Sequence, residues 1–320
     1  MLDTRRLKVL CEVARHGSFS AAAASLGYTQ PAVSRQIATL EAEVGAVLVR
    51  RAPQGAVLTD AGRLLVDRGE SILARLRDVE FELQALAGLE GGTLRLASFG
   101  SAAAAIVPLA IARFRERYPA VELSLVMADP IDSLPQLRAG ELDLALSHDP
   151  LGAGADELGN PTLTGEERDQ IELVHLFDDP VYVALPSGHP LAAVSPLGLD
   201  SLADEPWMLA PKATCPDSRL FLRACHAAGF EPRIAFENND YQAILGFVAA
   251  GVGVALIPDM AARGSRDDVV IRHLDPPPPP RPILAALPAG YRAPAVAAML
   301  AVLHEISHEW VGERPALRAA

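Results

Sequence analysis

The chain is poor in sulfur and has no long apolar run. Its 320 residues contain three cysteines, Cys11, Cys215 and Cys225. They offer neither a disulfide framework nor the spacing of a metal-ligand cluster. No stretch approaches the ~20 apolar residues that would span a bilayer. The opening MLDTRRLKVLCEVARHG is basic, without a long uncharged apolar core or a small-residue cleavage site, so no secretory signal is read. The composition of disorder is missing too: 50% of residues are hydrophobic and 21% charged. These absences argue against a secreted disulfide scaffold, a membrane span and a disordered chain. They point to a cytoplasmic protein, long enough for two or three domains.

The net charge of −12 looks unsuited to nucleic acid until it is divided along the chain. Residues 1–65 hold eight basic against five acidic residues, an excess of +3, which leaves −15 for the remainder. A basic head on an acidic body lets one part approach phosphate while the other repels it.

The head reads as three short helices with sharp punctuation. Thr4 is placed to cap the first, whose apolar face is Leu7, Leu10, Val13 and Ala14, and Gly17 to end it. Ser18 or Ser20 caps an alanine-rich second helix that stops at Gly27. Thr29 caps the third, with Pro31 in its first turn, where a missing N–H costs nothing. Val33, Ile37, Leu40 and Val44 face back onto the other two, and Gly45 stops the helix. Two short helices about a tight glycine turn form a helix-turn-helix. The second would show Thr29, Gln30, Ser34 and Arg35 to a major groove, where Gln pairs with adenine and Arg with guanine. Residues 47–51 and 56–58 pair as a hairpin around Pro53-Gln54-Gly55, a wing carrying Arg50 and Arg51.

The run GSFSAAAASLGYTQPAVSRQIATLEAEVGAVLVRR, followed by LTDAG, resembles the signature of LysR-type regulators. That resemblance implies a DNA-binding bacterial transcription regulator and no enzyme. It implies groove-facing roles for Thr29, Gln30, Pro31, Ser34 and Arg35 and matches Arg51 to the wing arginine; Ser20 and Arg50 join them as expected DNA-binding residues. Thr29 and Val44 replace the commoner Ser and Leu. Val49 stands where Phe is usual, which would loosen wing packing.

Thr59 and Asp60 suit the start of a proline-free helix over 61–87. Leu65, Ile72, Val79 and Leu86 recur every seven residues, with Leu76 and Leu83 between them, a heptad seam for dimerisation. Gly62 and Gly69 weaken its first turns, and Gly88, Gly91 and Gly92 make a hinge. Beyond Thr93, strands and helices alternate as in parallel sheets covered by helices. A helix is expected over 102–118, interrupted at Pro108. GTLRLASFG, FRERYP, GELDLAL, LPSGHPLA and VAAGVGVALIP also resemble the LysR family, in order. The resemblance implies a two-lobed periplasmic-binding-protein-like module with two crossovers. Residues 150–169 read as a flexible loop and Pro276–Pro280 as a stiff connector.

The expected fold is thus an α/β multidomain protein. It has a winged helix-turn-helix over 1–59 and a linker and dimerisation helix with hinge over 60–92. Effector-binding subdomain I takes 93–175 and 269–320, and subdomain II takes 176–268. Ligands of open α/β sheets sit beyond strand C-termini, near helix N-termini. That rule selects Ser98, Phe99, Gly100, Ser101, Met127, Ala128 and Ser147, and in the second lobe Pro211, Thr214, Asn238 and Asn239. The partners implied are a double-stranded, pseudo-palindromic DNA operator, a small-molecule effector, a homodimer or homotetramer and RNA polymerase. No cofactor and no membrane partner is expected.

Three signals compete. His304-Glu305-Ile306-Ser307-His308 fits a zinc-protease pattern on a helix, with Glu309 and Glu313 as the acidic candidates for a third ligand. The plainer reading is a C-terminal helix burying Met299, Leu300, Leu303 and Ile306. Cys215 and Cys225 lie near the place where peroxide-sensing LysR members keep a redox pair, though at a different spacing, and Cys225 sits mid-helix. Gly251-Val252-Gly253 lacks a third glycine and does not follow a strand, so it is no dinucleotide fingerprint. A solute-binding protein would have no use for the head, and no catalytic triad stands out.

Overall fold

Asp3, in extended conformation, opens the first helix, its carboxylate accepting the Arg5 amide at 2.8 Å. The cap is therefore one residue earlier than Thr4, because the carboxylate reaches the free amide. The computed structural model describes residues 2–52, 55–86, 92–148, 169–211, 215–264, 266–290 and 292–313. Two units emerge, residues 1–89 with 138–141, and residues 90–137 with 142–320.

In the first unit, α1 (Thr4–His16), α2 (Phe19–Leu26) and α3 (Gln30–Val44) end at Gly17, Gly27 and Gly45. Gly27 has φ +66°, a left-handed turn that other residues resist, and it lets α3 leave α2 sharply. Of the two candidate serines, Ser18 caps α2, accepting the Ala21 amide. Leu10, Val13, Ala22, Val33, Ile37 and Leu40 close the core. Glu12 joins α1 to α2 by accepting from Ser25 at 2.9 Å. β1 (Val49–Ala52) and β2 (Gly55–Leu58) pair antiparallel as the wing. The Glu41 carboxylate, near the end of α3, accepts the Leu48 and Val49 amides at 2.8 and 3.1 Å and pins the wing there.

Thr59 caps α4 (Asp60–Leu86), its hydroxyl accepting the Gly62 amide at 3.1 Å and donating to Val47 at 2.6 Å. At 1.5 Å per residue the helix spans ~40 Å. Its early part belongs to the head. Leu65 and Val66 pack on the three-helix core, so Leu65 is used within the unit and is withdrawn from the expected seam. A Cβ on Gly62 would lie 2.1 Å from the Leu48 carbonyl oxygen, and one on Gly69 would lie 2.6 Å from the Leu7 side chain. These glycines allow close helix approach; they are not weak points of a seam. Ile72, Leu76 and Val79 are exposed. The side chains of Leu83 and Leu86, and the Gly88–Gly91 hinge, lie outside the described residues.

In the second unit, β3 (Gly92–Ser98), β4 (Val121–Met127), β5 (Leu144–Ser147), β6 (Ile171–Asp179) and β12 (Arg281–Pro288) form one sheet in the order β4-β3-β5-β12-β6. β7 (Val181–Pro186), β8 (Pro206–Leu209), β9 (Arg233–Glu237), β10 (Val254–Pro258) and β11 (Val269–Arg272) form the other, in the order β11-β7-β10-β8-β9. Each sheet is mixed, a correction to the all-parallel expectation. β3, β4 and β5 run parallel, and β12 is antiparallel to both of its neighbours, β5 and β6; in the second sheet β7 is antiparallel to both β10 and β11. Returning strands at each crossover cause this. β6 pairs with β12 along its whole length up to Asp179, and β11 pairs with β7. The chain therefore crosses at Pro180 and again over 273–280, a few residues past the boundaries expected at 175 and 268.

Helices cover both faces. α5 (Gly100–Ala104), α6 (Ile106–Arg117) and α11 (Pro294–Gly312) bury Ala102, Ile106, Phe114, Met299, Leu300 and Leu303 on one side of the first sheet. α7 (Pro130–Arg138) covers the other side with Leu134 and Leu137. The second sheet lies between α8 (Pro216–Ala227) and α9 (Tyr241–Ala249), with the short α10 (Asp259–Ala262) beside α9. The helix expected over 102–118 is two helices, broken at Ala105 with ψ −77°. Pro108 does not interrupt it, because it lies in the first turn of α6, where an amide has no helical partner. β11 and β12 went unread in the sequence: β12 follows a proline run and carries prolines at its second and last positions. The 150–169 loop falls almost wholly outside the described residues.

Candidate nucleic-acid interface and ligand cleft

The N-terminal turn of α3 is presented to solvent by the packing of its other face. Val33, Ile37 and Leu40 are buried, while Thr29, Pro31 and Arg35 are exposed and Gln30 and Ser34 are half-buried. Thr29 occupies the cap position without making a side-chain cap bond. Gln30 Nε2 lies 3.3 Å from Ser34 Oγ, one turn along the same face. Ser20 is exposed in the first turn of α2, off this face. Arg50 is exposed on β1 opposite Val57. The Arg51 backbone pairs with Ala56, and its side chain lies outside the described residues. Val49 is half-buried against the core.

A cavity of about 940 Å³ lies between the two sheets of the second unit. The first sheet contributes Phe99, Gly100 and Ser101, at the end of β3 and the start of α5, and Met127, Ala128 and Asp129 beyond β4. The second contributes Asn238 and Asn239 beyond β9 and Tyr241 at the start of α9. Of the positions selected by the strand-end rule, these bring together all but four. Ser98 is buried behind the wall, its hydroxyl donating to the Phe99 carbonyl at 3.1 Å. Ser147 is buried in β5 and Pro211 stands off the lining. Thr214 lies outside the described residues. Asn239 donates to Asp129 across the mouth of the cleft.

The floor holds a buried polar network that the strand-end rule missed. Arg281, 1% exposed at the start of β12, donates to Asp217 at 2.8 Å, to Asp179 at 2.7 Å and to Ser101 at 2.9 Å. Tyr241 donates to Asp217 at 2.6 Å, and His148 Nδ1 lies 3.2 Å from the other Asp217 oxygen. Phe99 stacks edge-on against His148 at 4.5 Å and lies under the guanidinium. Burial alone would raise the Asp217 pKa, but Arg281, then His148 and Tyr241, hold it well below the usual carboxylate range. For Asp179 burial prevails over Arg281 and pushes the carboxyl up to about 6. The signal for Arg281 was topological. A strand that runs antiparallel starts at the sheet edge where its parallel neighbours end, so β12 begins in the cleft. His148 is one residue past Ser147, and Asp217 lies in the first turn of α8.

The competing signals resolve in structural terms. Glu305 and Glu309 of the zinc-protease pattern go to Arg117 and Arg113, while Met299, Leu300, Leu303 and Ile306 are buried. Burial pushes the Cys215 and Cys225 thiols up to about 12, which opposes the thiolate that peroxide sensing needs. Cys215 nevertheless meets His148 and Asp217. That cluster was invisible in the sequence because its members come from different lobes.

Comparison with known proteins decides the lineage. The family described as "Bacterial regulatory helix-turn-helix protein, lysR family" matches residues 4–63, and "LysR substrate binding domain" matches residues 87–307. The chain belongs to the LysR family of transcriptional regulators. The relative LrrA of Synechococcus elongatus, named a "Probable HTH-type transcriptional regulator", is 34% identical over 310 residues, 96% of this chain and 98% of LrrA. Among solved LysR structures, full-length CbnR with its target DNA has a TM-score of 0.63 at 24% identity, covering 95% of this chain and 100% of that one. The BenM effector-binding domain with benzoate has a TM-score of 0.58 at 22% identity, covering 70% and 96%. The family consists of regulators, not enzymes. No described helix is long and apolar enough to cross a membrane.

Proposed function

We propose that this LysR regulator acts in the cytoplasm as a symmetric oligomer, homodimer or homotetramer, reading a pseudo-palindromic operator with paired α3 helices. The observation that carries the reading is the polar, solvent-facing N-terminal turn of α3, held outward by its buried apolar side. Gln30, Ser34 and Arg35 reach base edges, with Thr29 and Pro31 at the helix entry. Ser20 and the wing residues Arg50 and Arg51 contact phosphate. Ile72, Leu76 and Val79, continued by Leu83 and Leu86, pair two chains and set the half-site spacing. CbnR, solved on its DNA, supports the first part of this reading.

The cleft binds a small-molecule effector, a role supported by benzoate in the BenM domain. Phe99, Gly100, Ser101, Met127, Ala128, Asn238 and Asn239 line it, and Ser98, Ser147 and Pro211 stand behind its walls. An effector that prefers one lobe arrangement shifts the population of oligomer geometries, and with it promoter contact by RNA polymerase.

The test is to sequence DNA fragments retained by purified protein at fixed moderate salt. Enrichment of a two-fold symmetric site is expected; retention indifferent to sequence defeats the reading. Gln30→Ala should cost about 1–3 kcal/mol at particular bases. Arg50→Ala should weaken all sequences alike and lower the salt dependence by about one phosphate contact.

A further inference from the structure

We propose that His148, Cys215 and Asp217, at the floor of the cleft, form a binding site for a borderline divalent transition metal of the zinc or cobalt type. All three are buried, and one donor atom from each lies within 4.8 Å of the other two. The set mixes imidazole, thiolate and carboxylate. Hard cations such as magnesium and calcium take oxygen ligands, whereas zinc takes nitrogen, sulfur and oxygen in tetrahedral geometry. Three protein ligands leave a fourth position, and because all three residues line the cavity that position faces the cleft.

Two features suit a bound cation. His148 Nδ1 is buried, its side chain 2% exposed, yet it makes no aligned hydrogen bond. It lies 3.2 Å from Asp217 Oδ1. The network is also rich in carboxyls: Asp179 and Asp217 both bond the guanidinium of Arg281, which favours a further positive charge beside Asp217.

The surroundings suit the metal. Asp217 Oδ2 accepts from Arg281 Nη1 and Tyr241, which orients the carboxylate and leaves Oδ1 toward His148. Hydrogen-bonded outer partners of this kind fix metal-binding carboxylates. A coordinated thiol loses its proton outright, so metal entry releases the Cys215 proton to solvent. His148 follows β5 in one lobe, while Cys215 and Asp217 open α8 in the other. A metal here would join the lobes and bias their closure.

Metal-free, untagged full-length protein should be titrated with Co²⁺ and followed by absorption, apart from any DNA measurement. One equivalent should give tetrahedral ligand-field bands and a sulfur-to-cobalt charge-transfer band, both bleached by Zn²⁺. Cys215→Ser should abolish the charge-transfer band, while Cys11→Ser and Cys225→Ser keep it. His148→Gln should lose stoichiometric binding while its circular dichroism still shows a folded chain. Tyr241→Phe should weaken binding about 10–100-fold. Absence of saturable Co²⁺ binding, or a charge-transfer band that survives Cys215→Ser, overturns the proposal. Because operator binding is measured separately, failure here leaves the DNA reading standing.

Discussion

At the scale of single residues, Arg281 joins parts of the second unit that are far apart in sequence. It begins β12 just after one crossover and bonds Asp179, the last residue before the other. It also bonds Asp217 in the second lobe and Ser101 in the first. Removing one partner from a buried ion pair leaves the others uncompensated, at a cost of about 3–5 kcal/mol. Arg281→Met should therefore lower the unfolding free energy of the second unit by that order, read as a lower denaturant midpoint; an unchanged midpoint would mean that the network contributes nothing. The contrast is Glu305, whose side chain is 42% exposed beside Arg117. Exposed pairs contribute little, so Glu305→Gln should leave the midpoint where it was. This residue-level picture was only half legible in the sequence. The strand-end rule found Phe99, Ser101 and Asn238 because parallel strands point at the cleft. It missed Arg281 because an antiparallel strand reverses which end matters, and nothing in the sequence alone marked β12 as antiparallel.

At the scale of elements, glycine does opposite things in different helices. In α4, Gly62 and Gly69 let the helix lie against Leu48 and Leu7. A methyl at Gly62 meets a backbone carbonyl, which cannot rotate away, so Gly62→Ala should destabilise the head by about 1–3 kcal/mol. Gly69→Ala meets the buried Leu7 side chain at Cδ1 and Cγ, so it too should destabilise the head unless Leu7 repacks. Within α9, a Cβ on Gly246 would meet nothing within 4 Å. Gly246→Ala should stabilise the second unit by about 0.4–1 kcal/mol through loss of unfolded-state freedom. Thermal unfolding of the three variants checks the signs, and a stabilised Gly62→Ala would refute the close-approach argument. Helix starts and stops were readable because capping and left-handed glycine are local. The role of the α4 glycines was not, since it depends on what packs against them. Leu65 was misassigned for the same reason: seven-residue spacing shows that a side chain shares a face, not which neighbour that face meets.

At the scale of the whole molecule, the heptad spacing and the exposure of Ile72, Leu76 and Val79 together concern how chains associate. These side chains are 43%, 43% and 48% exposed, in a row on a helix whose Leu65 and Val66 already pack on the head. Apolar surface spaced in this way is stabilised by a second copy. A head bound to one half-site gains from its mate only while the two are joined, and such linkage raises apparent affinity by about 10²–10⁴-fold. The double substitution Leu76→Glu, Val79→Glu places carboxylates in the seam and should drive the chain toward a single-copy species in sedimentation. Affinity for the full operator should fall by about that factor, while affinity for an isolated half-site stays constant, because α3 and the wing are untouched. If the variant remains associated, the oligomer is held elsewhere, and the spacing of half-sites must be traced to another surface. If it dissociates and operator affinity does not change, one head suffices for recognition and the two-fold symmetry argument fails, whatever the sequence of the bound DNA.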